Sequence, residues 1–131
     1  MEKSLRNILW TIHITLAVLW VYQGLIPKVL YKAQDEQYIW QQQGFDELIS
    51  LILMQFSGYI EIIFGMLFLV FKQSKILHFL NILGVLGLSL LIAIIDMRYF
   101  QNAFYPFVMN VAMASLSIIA LQLLQAKNPK L

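Results

Sequence analysis

The chain has no cysteine, only three prolines and six glycines, and few charges: nine lysines and arginines and seven aspartates and glutamates in 131 residues. Without cysteine there is no disulfide, thiolate nucleophile, iron–sulfur ligation or cysteine-based zinc site. Charged residues make up 12% of the chain, about half the usual share, and the mean hydropathy is +0.74. That excludes a small water-soluble globule, which covers much of its area with polar groups. Disorder and collagen-like structure fail on composition. Nucleic-acid binding fails as well, because the basic residues are offset by acidic ones and form no basic stripe.

What the chain has instead is long apolar runs. Asn7–Pro27, Leu48–Phe71, Ile76–Ile95 and Tyr99–Ala126 together hold one charged residue, Glu61. Each run supplies the roughly 20 apolar residues that cross a bilayer core about 30 Å thick. The sequence therefore predicts four transmembrane helices, over about 7–27, 48–71, 76–95 and 103–125, in a single domain spanning 1–131. An acid at a helix centre costs about 2.5–3.5 kcal/mol on an insertion scale, whereas each Leu, Ile, Val or Phe contributes up to about −0.3 to −0.6. The run around Glu61 holds fifteen of these, so the apolar sum wins. Met1–Arg6 followed by an apolar run is reminiscent of a secretory signal. The run is longer than such signals use, and Thr15-Leu16-Ala17 makes a poor cleavage site, so the first helix is read as a retained anchor.

Four crossings put both termini on one side with the Lys72–Lys75 turn. That side carries Lys3, Arg6, Lys72, Lys75, Lys127 and Lys130, against Lys28, Lys32 and Arg98 on the other. The positive-inside rule then makes both termini cytoplasmic. Short second and third connections make helices two to four antiparallel neighbours, and the expected fold class is an all-α, integral membrane, antiparallel four-helix bundle. The longest connection, Tyr31–Glu47, mixes acids and glutamines with Tyr38, Trp40 and Phe45. Such a mixture suits a segment lying at headgroup level. Asp96 and Arg98 form an expected solvated ion pair at the outer end of helix three.

In lipid, polar side chains tend to face the protein interior, so they carry the most information. His13, Ala17, Trp20, Gly24 and Lys28 recur every three or four residues along one face of the first helix. Gly58, Glu61 and Gly65 do the same on the second, where glycines let a neighbouring backbone approach. Asn81 and Gly84 share a face of the third, and Asn110, Ala114 and Ser117 a face of the fourth, which is read as beginning near Asn102. At about 1.5 Å per residue, Gln23, Tyr59 and Asn110 fall in the outer half of the membrane and Glu61 near its middle. The candidate site is an outward-facing pocket lined by Trp20, Gln23, Lys28, Tyr59, Glu61 and Asn110, with Glu61 as its ligand-orienting or proton-titrating acid. A partner such as Lys28 or Arg98 keeps a buried carboxyl ionised. Lys28 also lies near enough to the outer boundary to extend its ammonium to the surface. His13 and His78 differ in depth by about one helical turn. Two histidines do not of themselves call for a haem, and no metal site is expected.

Three of these segments resemble one family. Trp20-Val21-Tyr22-Gln23-Gly24-Leu25-Ile26-Pro27-Lys28 is similar to the end of the first helix in the DoxX-like family of small bacterial membrane proteins. Gly58-x-x-Glu61-x-x-x-Gly65 resembles that family's second-helix pattern, and Pro106-x-x-x-Asn110 its fourth-helix pattern. The resemblance implies a four-helix protein of the bacterial cytoplasmic membrane. Some relatives look like accessory subunits of quinone-linked oxidoreductases, and similar domains occur fused to NAD(P)-binding reductase-like domains. This sequence has no Gly-x-Gly-x-x-Gly after a strand, so redox chemistry would need a partner or a bound cofactor such as a quinone.

The expected function is binding of a lipid, a quinone or another amphipathic molecule, as an accessory to a membrane redox or lipid process. Alternatives are a proton-coupled small-molecule transporter using Glu61, and a quinone-linked oxidoreductase subunit or lipid isomerase with Glu61 as general acid/base. The isolated chain ranks as a binder ahead of an enzyme. Gly84-x-x-Gly87 offers a small face that permits a homo-oligomer and equally serves packing inside one bundle.

Overall fold

A computed structural model describes residues 3–30, 34–95 and 106–127. Every regular element among them is helical: α1 (Lys3–Gln23), a π-helical continuation (Gly24–Leu30), α2 (Gln34–Gln41), α3 (Glu47–Val70), α4 (Lys75–Ile95) and α5 (Pro106–Lys127). Four helices are long and apolar enough to cross a membrane, over Lys3–Leu30, Glu47–Val70, Lys75–Ile95 and Val108–Ala126. The four expected spans are therefore present. Asp96, Arg98, Asn102 and the first residues of the expected fourth span lie outside the described residues.

Local chemistry sets the boundaries. Pro27 has no N–H to give to the carbonyl four residues back. That position is Gln23, where α1 gives way to the wider i→i+5 winding. In the connection expected to lie at headgroup level, residues 34–41 form a short helix. It closes through Gly44, whose φ of +98° suits a residue without a side chain, with Gly44 N donating to Gln41 O at 3.0 Å. Asp46 then caps α3, its Oδ1 accepting from Ile49 N at 2.8 Å, and Ser74 Oγ accepts from Leu77 N at 3.3 Å at the start of α4.

The chain divides into two units, residues 15–70 and residues 1–14 with 71–131. In the first unit, the second half of α1 and its π continuation pack on α3, and α2 packs on α3 as well. The buried stripe of α3 is Ser50, Met54, Gly58, Glu61, Gly65 and Phe68, spaced three or four apart as one helix face requires. Close contact depends on glycine. A Cβ on Gly58 would stand 2.7 Å from Gly24 O, one on Gly65 would stand 2.9 Å from Ala17 O, and one on Gly24 would collide with Gly58 O. Contacts climb α3 as they descend α1, so the pair is antiparallel.

In the second unit α4 and α5 pack together, joined by Lys75–Gln125, His78–Ser117, Asn81–Met113 and Ser89–Asn110. Numbers rise along one helix while they fall along the other, again the antiparallel arrangement. Both units invert the pattern of a soluble protein. On α4, His78, Asn81 and Ser89 are buried whereas Phe79, Leu83, Leu86, Leu90 and Ile94 are exposed. Polar groups inside and a leucine-rich exterior are what a lipid solvent selects.

Candidate functional site

The residue types on the α1/α3 face lead to an ion pair. Lys28 Nζ donates to Glu61 Oε1 at 2.6 Å, and the two side chains are only 10% and 11% exposed. Lys28 leaves the π segment, and its Cβ lies where a side chain on Gly58 would be, 3.0 Å from that glycine's missing Cβ. Glu61 is one turn further along α3. The lysine thus turns inward along the glycine seam instead of extending its ammonium to the membrane surface, because a carboxylate is in reach and the seam is open.

The other expected site residues distribute unevenly. Trp20 is buried in the same unit, its ring edge-on to Phe64 at 5.2 Å between centroids, and Phe64 is packed in turn on Phe68 at 5.2 Å. Gln23 is half-buried at the last turn of α1. Tyr59 does not share the pair's surroundings. It is 55% exposed and, two residues from Glu61, points to the far side of α3, since two helical steps turn about 200°. Asn110 belongs to the other unit, where its Nδ2 donates to Ser89 Oγ at 3.2 Å and to Val85 O at 3.5 Å. An open depression at the start of α3, lined by Gln37, Asp46, Glu47, Leu48 and Leu51, contains no buried polar side chain.

Sequence reasoning missed a second constellation, in the unit formed by the start of α1 with α4 and α5. His13 and His78 are fully buried and meet nitrogen to nitrogen, Nε2 to Nε2 at 2.8 Å, with the rings edge to face at 69°. His78 Nδ1 lies 3.0 Å from Ser117 Oγ. Asn81 Nδ2 donates to Ser117 Oγ at 2.6 Å and to Met113 O at 3.2 Å. A hint existed in the spacing of His78 and Asn81 on α4 and of Met113 and Ser117 on α5, but spacing gives the face of one helix and not the face it meets. One turn before His78, Lys75 Nζ donates to Gln125 Oε1 at 3.0 Å, and Lys72 Nζ stands 4.3 Å over the Trp10 ring.

Chemically, the first constellation offers a desolvated ammonium and carboxylate beside an aromatic cluster, and the second a chain of neutral donors and acceptors. No curated protein and no solved structure matches the chain at a significant level. The model of the DoxX-like family matches residues 17–118, a range that takes in Lys28, Glu61, His78, Asn81 and Ser117 and leaves His13 just outside. With its four apolar spans and its Gly58–Glu61–Gly65 seam, the chain belongs to the DoxX-like family.

Proposed function

We propose that this DoxX-like membrane protein binds an amphipathic molecule, a lipid or a quinone, whose polar group is recognised at the Lys28–Glu61 pair, and that it serves a partner in a membrane redox or lipid process. It would do so in the bacterial cytoplasmic membrane with both termini cytoplasmic, the side its basic residues favour. The observation that carries this reading is the ion pair itself, buried within the membrane-spanning segments. A buried ion pair seldom outbids well-packed apolar residues in stability, and ionisable groups at membrane depth are functional by default. An ammonium carries three donors and a carboxylate about four acceptor positions, so each can serve a ligand carbonyl, hydroxyl or phosphate as well as its neighbour. The Trp20–Phe64–Phe68 cluster of the same unit supplies the apolar wall that such a site requires. Because the carboxyl already holds a resident cation, the pair favours ligand binding over a proton-coupled transporter that works through Glu61.

The test is native mass spectrometry of gently solubilised protein, comparing the wild type with the double variant Lys28→Met/Glu61→Leu, which removes both charges and keeps apolar packing. The wild type is expected to carry a lipid or quinone that the double variant lacks. A wild type without such a ligand, or equal retention by both proteins, overturns the reading.

A further inference from the structure

We propose that His13, His78, Ser117 and Asn81 form a proton-binding site that takes up a single proton while its packing stays intact. The inference is independent of the Lys28–Glu61 reading, since it rests on other residues in the other unit.

Two imidazole nitrogens 2.8 Å apart require one hydrogen between them. None would set lone pair against lone pair, and two would set N–H against N–H. The pair is therefore a single N–H···N bond in every state in which it exists. A neutral pair has two ring hydrogens on four nitrogens, so one lies between the Nε2 atoms and the other on one of the two Nδ1 atoms.

Ser117 decides which. Both hydrogens of Asn81 Nδ2 are engaged, one on Ser117 Oγ and one on Met113 O. The Ser117 oxygen thus uses one lone pair for Asn81 and retains a hydrogen and a second lone pair. Met113 O, four residues back from Ser117, already accepts from Asn81 Nδ2 and lies in the backbone ladder of α5, so in the neutral state the hydroxyl is assigned as donor to His78 Nδ1. His78 then carries its hydrogen on Nε2 and donates it to His13, and His13 holds its own on Nδ1. A run of donors results, from Asn81 through Ser117 and His78 to His13.

This run has one position that accepts a proton at small structural cost, His78 Nδ1. When it is protonated, the Ser117 hydroxyl rotates about its C–O bond, accepts from Nδ1–H with its second lone pair, and turns its hydrogen toward Met113 O, four residues back on the same helix, which then shares its two lone pairs among this hydrogen, Asn81 Nδ2 and the helix N–H. His78 becomes an imidazolium whose two N–H groups go to Ser117 and to His13, and the latter bond is strengthened by charge. A second proton has only His13 Nε2 to enter, where it would face the His78 N–H. It would break the bond that joins α1 to α4 in this unit.

Among the described side chains, the charged ones on the elements around the cluster are Lys3 and Arg6 on α1, Lys72 in the turn before α4, and Lys75 on α4. Lys72 is held over Trp10 and Lys75 by Gln125. Among the described side chains, α5 carries no charge and the unit no carboxylate. The proton is accordingly held by the hydrogen bonds to Ser117 and His13. Lys75 marks the nearer end of α4, three residues or about 5 Å of helix rise from His78.

The experiment is nitrogen NMR of the full chain, labelled with 15N-histidine and held in lipid nanodiscs, titrated with acid alongside potentiometric proton counting. The expected result is a through-bond coupling between the two Nε2 nuclei, present both before and after a step in which one proton per chain appears on His78 Nδ1, and lost only on a second uptake. Ser117→Ala, which retains both rings, is expected to keep the coupling while losing the preference for hydrogen on His78 Nε2. His78→Gln is expected to abolish the step. Two rings that titrate separately without coupling, uptake of two protons with the coupling preserved, or no uptake before unfolding each overturn the proposal. The coupling is read on the wild type, so the test stands even if a histidine variant does not fold.

Discussion

Lys28 and Glu61 meet 33 residues apart in sequence, with Nζ on Oε1 at 2.6 Å, across a seam in which the backbones of Gly24 and Gly58 touch. The glycines and the ion pair are one device. Without side chains at 24 and 58, the lysine stem lies flat on α3 and delivers its ammonium one turn deeper than its own Cβ.

Removing one member of the pair leaves the other charged and desolvated. Lys28→Met or Glu61→Leu alone is expected to lower stability by about 3–5 kcal/mol, whereas the double variant returns to the wild-type value or exceeds it by about 1–4 kcal/mol. Thermal unfolding of the four proteins in one mild detergent measures the cycle. Additive losses in the double variant would show that the residues do not act as a pair.

The glycines divide into two groups. Gly24→Ala and Gly58→Ala add a methyl where backbone oxygen already stands, and each is expected to cost about 1–3 kcal/mol as the seam is forced open. Gly84 and Gly87 have nothing within 4 Å of an added Cβ, so their alanine variants should stay within about 0.5 kcal/mol of wild type. The same unfolding assay separates the two groups.

Asn81 and Asn110 each tie α5 to α4, with different geometry. The shortest bond of Asn81 is 2.6 Å and that of Asn110 is 3.2 Å, and hydrogen bonds weaken as they lengthen. Asn81→Leu is expected to cost about 1–2 kcal/mol and Asn110→Leu about 0.6 kcal/mol, the range found for polar contacts between membrane helices. An equal or reversed order in the unfolding assay would contradict the ranking.

A chain without cysteine is a clean background for mapping topology. In intact cells a membrane-impermeant thiol reagent is expected to modify Gln42→Cys, in the turn after α2, while Ser4→Cys and Gln73→Cys react only after permeabilisation. The opposite pattern would reverse the orientation inferred from the basic residues.

The spans and their inward faces were legible in the sequence because lipid penalises charge so strongly that the position of each run is set by where charges stop. Glu61 could be picked out for the same reason, whereas its partner stayed open between Lys28 and Arg98, because depth puts both near the outer boundary and the sequence does not say which one turns inward. Tyr59 was misplaced because depth along a helix gives height and not direction. The short helix α2 was not anticipated, since eight largely polar residues between apolar runs carry no span signal. The histidine pair was illegible for a different reason: it depends on how three helices are rotated about their axes, and periodicity within one helix does not contain that angle.

Ile52, Phe56, Ile60 and Ile63 on α3, with Leu83, Leu86 and Leu90 on α4, are exposed, and none belongs to the glycine seam or to the hydrogen bonds between α4 and α5. The residues that choose neighbours and the residues that choose the medium are therefore different letters of the same text. Rewriting the second set in Lys, Glu and Gln while leaving the first untouched is expected to carry the helix pairings into water, where both buried clusters can be studied without detergent.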